Sequence, residues 1–217
     1  MAKVKKLNKI EMAIESFKNG QMLIVVDDED RENEGDFIIS AEKASVQDIN
    51  FMIKEGRGLI CVAITTEYAR KLDLSPMVST NTAKHQTNFT VSVDAAQNIT
   101  TGISAKDRWE TIQVILNEKS IPNDLVRPGH MFPLTAKEGG VLQRAGHTEA
   151  AVDLAKISGM NPVSLLVEIV DEDGSMARMP KLKKIALEHD LPLITIAELI
   201  EYRRKNDKLV TELSNIS

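Results

Sequence analysis

The chain has one cysteine, Cys61, set inside the apolar run LICVAI at 59 to 64. No intramolecular disulfide can form, so a packed core must hold the fold, and a reducing compartment is expected. Long apolar runs are missing too. Nothing approaches the roughly 18 consecutive apolar residues of a membrane span, and the basic start MAKVKKLNKIEMA has no apolar stretch of signal-peptide length. A cytoplasmic protein without membrane contact is the expectation. Positive charge is not in excess: 27 Lys and Arg stand against 32 Asp and Glu, a net charge of -5. That excludes a general nucleic-acid binder, because no large basic stripe is available to neutralise phosphates, but it leaves a local basic pocket open. Walker A, GxGxxG and CxxC patterns are absent, as are repeats, low-complexity linkers and composition breaks. The 217 residues, 42% of them hydrophobic, suit one large domain with a sizeable core.

The order of elements can be read from periodicity. Leu7, Ile10, Ile14 and Phe17 recur at helical spacing, and Gly20 stops the helix. MLIVVD and DFIIS read as strands on either side of a charged loop. Ser45 caps a helix that ends near Gly56. LICVAI, NFTVSVDA and SLLVEIV read as further strands, with a polar loop at 72 to 87 and a helix opening at Ser104. RPGHMFPL, with two prolines, is expected to be irregular or edge-like. GHTEAAVDLAKISG reads as a helix from Gly146 to Gly159, and the chain closes as helix, short strand LITI, helix AELIEYRRK and polar tail. Interspersed helices and strands with at least one hairpin predict an α+β fold, a mixed sheet covered by helices.

Within this frame, DDEDRENEGD packs seven carboxylates into ten positions, 27 to 36, between two buried-looking runs. Most acidic blocks are solvated. This one is anchored at both ends, so its repulsion costs stability unless a cation relieves it. If it were extended, Asp28, Asp30, Glu32, Glu34 and Asp36 would share one face and Arg31 the other. Hard oxygen ligands suit Mg2+ or Mn2+ better than Zn2+. An EF-hand starting at Asp30 fails, because its twelfth position is Ala41 where a bidentate Glu is needed. Of the four histidines, His189 falls at a helix end and His85 in a polar loop. His147 stands at a helix start, where free amides favour anions. By itself His130 reads as structural, Trp109 as core, and the basic clusters near 181 to 184 and 203 to 205 as solvated helix faces.

Taken together, DDEDRENEGD, TNFTVSVDA, TTGISAKDR, RPGHMFPL and GGVLQRAGHTEAAVDL resemble, in order and over about residues 7 to 205, the 3,4-dihydroxy-2-butanone 4-phosphate synthase family of riboflavin biosynthesis. The resemblance implies a single domain over 1 to 217, with a polar tail from 206, built as a mixed sheet between two helical layers. It implies a lyase that turns D-ribulose 5-phosphate into L-3,4-dihydroxy-2-butanone 4-phosphate and formate. Two Mg2+ or Mn2+ ions per site and a homodimer are implied with it. By motif, Glu32 and His147 would be the metal ligands. Arg31 and Asp36 would hold sugar hydroxyls. Arg144, Gly146 and Thr148 would receive the phosphate, with Ala145 in the same substrate-binding segment. His130 and Glu168 would be catalytic, Glu168 also touching substrate. Thr135 and Ala145 stand where an Arg and a Gly are common in relatives. Some relatives carry a fused GTP cyclohydrolase II domain, for which this chain is too short. The competing readings are another metal-dependent sugar-phosphate isomerase or lyase, and a non-enzymatic acidic metal-binding module.

Overall fold

A computed structural model describes residues 8–207. Leu7, the first member of the expected helical stripe, and the tail beyond residue 207 lie outside the described residues. The elements follow in the order α1 (Lys9–Lys18), β1 (Leu23–Val26), β2 (Gly35–Ser40), α2 (Val46–Phe51), β3 (Cys61–Ile64), α3 (Thr66–Lys71), β4 (Val93–Ala95), α4 (Ala105–Leu116), β5 (Leu125–Thr135), α5 (His147–Ile157), β6 (Ser164–Glu168), α6 (Met179–Glu188), β7 (Leu193–Thr195) and α7 (Ile196–Asn206). The predicted caps are in place. Ser45 accepts from the Asp48 amide at the start of α2, and Ser104 accepts from Asp107 at the start of α4. Each satisfies an amide that has no partner within its helix.

Seven strands form one mixed sheet in the order β4-β5-β3-β6-β2-β1-β7. β1 runs parallel to β7 and β3 to β5, and the other pairings are antiparallel. Because strand side chains alternate, each strand feeds two cores. Ile24, Val26, Phe37, Ile39, Val62 and Val167 pack with α2, α3, α4 and α6 on one face. Leu23, Val25, Ile38, Ala63, Leu166 and Ile194 pack with α1, α5 and α7 on the other. Burial on both faces explains why these strands read as continuous apolar runs. The result is the mixed sheet covered by helices that the pattern predicts, with the two helical layers that the resemblance implies.

Two segments differ from expectation. NFTVSVDA forms a ladder only at Val93–Ala95, with isolated bridges at Phe89 and Thr90. RPGHMFPL lies inside the eleven-residue β5, paired on both sides. Its irregularity is nevertheless there: Met131 faces Val93 while Val126 faces Asp94, so residues 127 to 130 bulge out of the β4 ladder. A bulge tolerates the missing N–H of Pro128. At Gly129 a side chain would fall 2.0 Å from the carbonyl carbon of Val93, so only glycine lets the backbones cross there.

Candidate active site

The acidic loop joins β1 to β2 as a hairpin connection. Its charge is organised by Asp27, the residue that closes the run MLIVVD and opens DDEDRENEGD. The Asp27 carboxylate accepts from Glu34 N–H at 2.8 Å, Glu32 N–H at 3.2 Å and Arg31 Nη1 at 2.8 Å. Asp28 and Asp30 point to solvent, while Arg31, Glu32, Glu34 and Asp36 line a common cavity. The strict alternation expected for an extended segment is therefore broken by turns, and Arg31 faces inward. The only signal for Asp27 was its position, the first carboxylate after an apolar run.

From the other half of the chain, α5 begins at His147 beneath this loop. Val25 O accepts from His147 Nε2 at 3.2 Å. A carbonyl can only accept, so the proton of the neutral ring sits on Nε2 and the Nδ1 lone pair faces the carboxylates. Nδ1 lies 3.7 Å from Asp36 Oδ1 and 3.8 Å from Glu32 Oε2. Asp27, Glu32 and His147 each bring one donor atom to within 4.8 Å of the others. Burial opposes charge on His147, but Asp36, Glu32 and Asp27 outweigh it and raise its pKa to about 9. His147, against some burial and with help from Arg31, holds Glu32 down to about 2. Burial pushes Asp36 up to about 7 against the attraction of His147. Asp36 Oδ1 is buried without a hydrogen-bond partner.

The far wall holds Arg144, Thr148 and Glu168. Glu168 ends β6 and is fixed by Leu59 N–H at 2.9 Å. Arg144 reaches Glu149 at 2.5 Å, Thr87 Oγ1 at 3.0 Å and His85 O at 3.0 Å. A side chain at Gly146 would fall 2.3 Å from Arg144 Nη1, so glycine clears the path of that guanidinium to Glu149. Gly146 also gives α5 no side-chain cap, which leaves the leading amides open to an anion. Arg144 is thus already engaged by Glu149, Thr87 and His85.

Seven predicted residues, Arg31, Glu32, Asp36, Arg144, His147, Thr148 and Glu168, line this one cavity of about 110 Å³. Ala145 is exposed and Gly146 sits behind the wall. His130 is not among the lining residues. It stands in the β5 bulge, its Nδ1 2.6 Å from Asp94 Oδ2. Arg203, expected on a solvated face, is instead tied to Asp153, Asp207 and Gly139 O. A roomier apolar cleft of about 450 Å³ shares Phe89 with the site but has Asp73 as its one carboxylate, so chemistry and not size selects the smaller cavity.

The family model described as 3,4-dihydroxy-2-butanone 4-phosphate synthase matches residues 11–202. A riboflavin biosynthesis protein RibBA of Bacillus mycoides is 58% identical over 204 residues, which cover 94% of this chain and 51% of that protein. The RibBA protein of Cytophaga hutchinsonii is 57% identical over 206 residues, again 94% of this chain and 51% of its own length. The chain therefore spans about half the length of these curated relatives. A crystal structure of 3,4-dihydroxy-2-butanone 4-phosphate synthase in complex with two magnesium ions superposes with a TM-score of 0.89 at 39% identity, covering 92% of this chain and 98% of that one. No helix among the described residues is long and apolar enough to cross a membrane.

Proposed function

The chain belongs to the 3,4-dihydroxy-2-butanone 4-phosphate synthase family, and we propose that it acts as one synthase domain of riboflavin biosynthesis, converting D-ribulose 5-phosphate to L-3,4-dihydroxy-2-butanone 4-phosphate and formate. The observation that carries this reading is the meeting of Glu32 and His147, from opposite halves of the chain, beside a buried carboxylate oxygen on Asp36 that nothing satisfies.

That donor set fits a divalent cation. Glu32 and His147 would hold it, with Asp27 at the edge of the cluster, and hard oxygens plus one imidazole suit Mg2+ or Mn2+. Two ions per site are proposed; one solved relative is a complex with two magnesium ions. A cation held there would supply Lewis-acid stabilisation of negative charge on the substrate's oxygens, which favours loss of the proton beside the ketone. The protein's own groups do the rest. Asp36, destabilised as an anion by burial, is suited to take up a proton near neutral pH. Glu34, also raised by burial, offers a second acceptor on the same wall. Arg31 is held by Asp27 and Glu32 at the cavity's edge, where its guanidinium can meet sugar hydroxyls. The open start of α5, with Thr148, receives the phosphate. Leu134 and Leu166, both buried, and the half-buried Phe89 give that space an apolar wall.

Formate release from ribulose 5-phosphate tests the reading directly. Chelation with EDTA should abolish it, and Mg2+ or Mn2+ should restore it. Another sugar-phosphate isomerase would consume substrate without formate, and a bare metal-binding module would not consume it. Cation binding should also release a proton from His147 and weaken as pH falls below about 9, the range in which the imidazolium competes for the same carboxylates. Calorimetric titrations at several pH values would show this, and pH-independent affinity would remove His147 from the ligand set.

A homodimer completes the proposal. His130 lies outside the cavity of its own chain, and Ile103, Ile121 and Val126, on segments next to the bulge, are large apolar residues left exposed. A two-fold partner covering them would bury that surface and could carry His130 to the neighbouring site.

A further inference from the structure

Charges around the phosphate end of the cavity do not balance. A phosphate monoester brings nearly two negative charges at neutral pH, and on one side it would approach past the exposed carboxylates Asp28, Glu29 and Asp30. Two arginines line the cavity, and both are already paired. Arg31 is held by Asp27 and Glu32, and Arg144 by Glu149. Neither brings an uncompensated positive charge to the substrate.

Unpaired cations lie one step outward. Beyond Arg144 a second hollow of about 390 Å³ is lined by Lys84, His85, Gln86, Lys137, Gln143 and Arg144, with no carboxylate among them. Both lysines are exposed. Neither ammonium makes a hydrogen bond or ion pair with another described residue. Arg144 lines both hollows. Arg144 Nη2 donates both to His85 O, on the outer side, and to Thr87 Oγ1, which lines the inner cavity.

We propose that Lys84 and Lys137 form an outer anion-binding site, an antechamber that takes the phosphate group of a phosphorylated sugar before it passes Arg144 to the start of α5. Flexible ammonium groups are point charges on long stems, suited to capturing an anion and letting it move on, whereas a bidentate guanidinium would fix it. In a chain of net charge -5, whose acidic loop repels an anion, such a patch sets the direction of approach. For the identity of the sugar this rests on the synthase reading. For the anion it does not.

The test uses the double variant Lys84→Gln/Lys137→Gln beside Lys84→Arg/Lys137→Arg. In the metal-free protein at low salt, inorganic phosphate followed by 31P line broadening should bind about tenfold more weakly to the glutamine variant. The arginine variant should bind phosphate at least as tightly as the native chain, and the loss in the glutamine variant should shrink as salt screens the charges. With Mg2+ present, the glutamine variant should show KM for ribulose 5-phosphate raised by a similar factor with kcat unchanged. Both lysines are exposed, so circular dichroism should show a native fold in each variant. Unchanged phosphate affinity, a loss that ignores salt, or a fall in kcat at saturating substrate would each overturn the antechamber. If the native chain releases no formate while phosphate binding still follows the lysine charges, the synthase reading fails and the antechamber stands.

Discussion

Glu32→Gln is expected to cut formate release at least about a hundredfold and to lower the melting temperature of the metal-free protein, while Asp36→Asn cuts turnover but raises that melting temperature. The activity estimate follows from ligand geometry. Disturbing a group that merely supports a metal ligand costs about 10- to 100-fold, and Glu32 faces His147 Nδ1 directly at 3.8 Å. The stability directions follow from the opposite environments of the two carboxylates. His147, with Arg31, holds Glu32 down to about 2, so its charge favours the folded state at neutral pH and glutamine forfeits that. Crowding in the acidic segment falls on Asp36 instead. Burial lifts it to about 7, so the folded chain binds its proton more tightly than the unfolded chain does, and ionising it costs stability. That cost is absent below the unfolded carboxylate range near pH 4 and complete above about pH 7. Asparagine removes it, so the gain should be full at pH 8, shrink as pH falls and vanish near pH 4. Thermal melts of both variants in EDTA across that range check the directions. A melting temperature for Asp36→Asn below native at pH 8 would mean that the attraction of His147, not burial, governs that carboxylate. Such a pattern, stability surrendered for a charge placed where chemistry needs it, is what a functional site produces.

How much of this was legible in the sequence depends on the range of the interaction. Ile24, Val26, Phe37 and Ile39 face one helical layer, and Leu23, Val25 and Ile38 the other, so apolar runs of three to five residues announced strands buried on both faces. The caps at Ser45 and Ser104 are local and were readable for that reason. The motifs carried Glu32, Asp36, His147 and Glu168 to one cavity by resemblance, and the geometry brings them together. Other features depend on partners that no local pattern names. Asp27 gathers amides and a guanidinium from a loop whose turns spoil the strand parity. Arg203 looks like one more basic residue on a solvated helix until α7 docks and presents it to Asp153. The RPGH bulge is punctuated by Pro128 and Gly129, but its place in the middle of β5, with pairing on both sides, is set by Val93 and Asp94 some 35 residues earlier.

His130 is held on two sides by one carboxylate. Asp94 accepts from the backbone N–H of His130 at 2.8 Å through Oδ1 and contacts its ring Nδ1 at 2.6 Å through Oδ2. That places the proton of the neutral ring on Nδ1 and leaves Nε2 available as a base, the way a catalytic histidine is oriented by a carboxylate. Yet the side chain is 43% exposed and absent from the cavity of its own chain. An oriented imidazole with nothing to act on is accounted for if it serves a neighbouring copy. Glu32 and His147, by contrast, meet within one chain. Mixing inactive Glu32→Gln and His130→Ala chains under subunit exchange should therefore restore formate release. In a mixed dimer one site keeps its own Glu32 and receives an intact His130, while the other loses both. With random exchange about half the dimers are mixed and half of their sites intact, so recovery should reach about a quarter of native activity. Glu32→Gln mixed with His147→Ala should stay inactive, because every site then keeps one lesion. Mixed dimers verified by mass spectrometry that recover nothing in the His130 pairing would confine that residue to its own chain. Recovery in the His147 pairing would instead divide the metal site between subunits, against the 3.8 Å approach of His147 to Glu32.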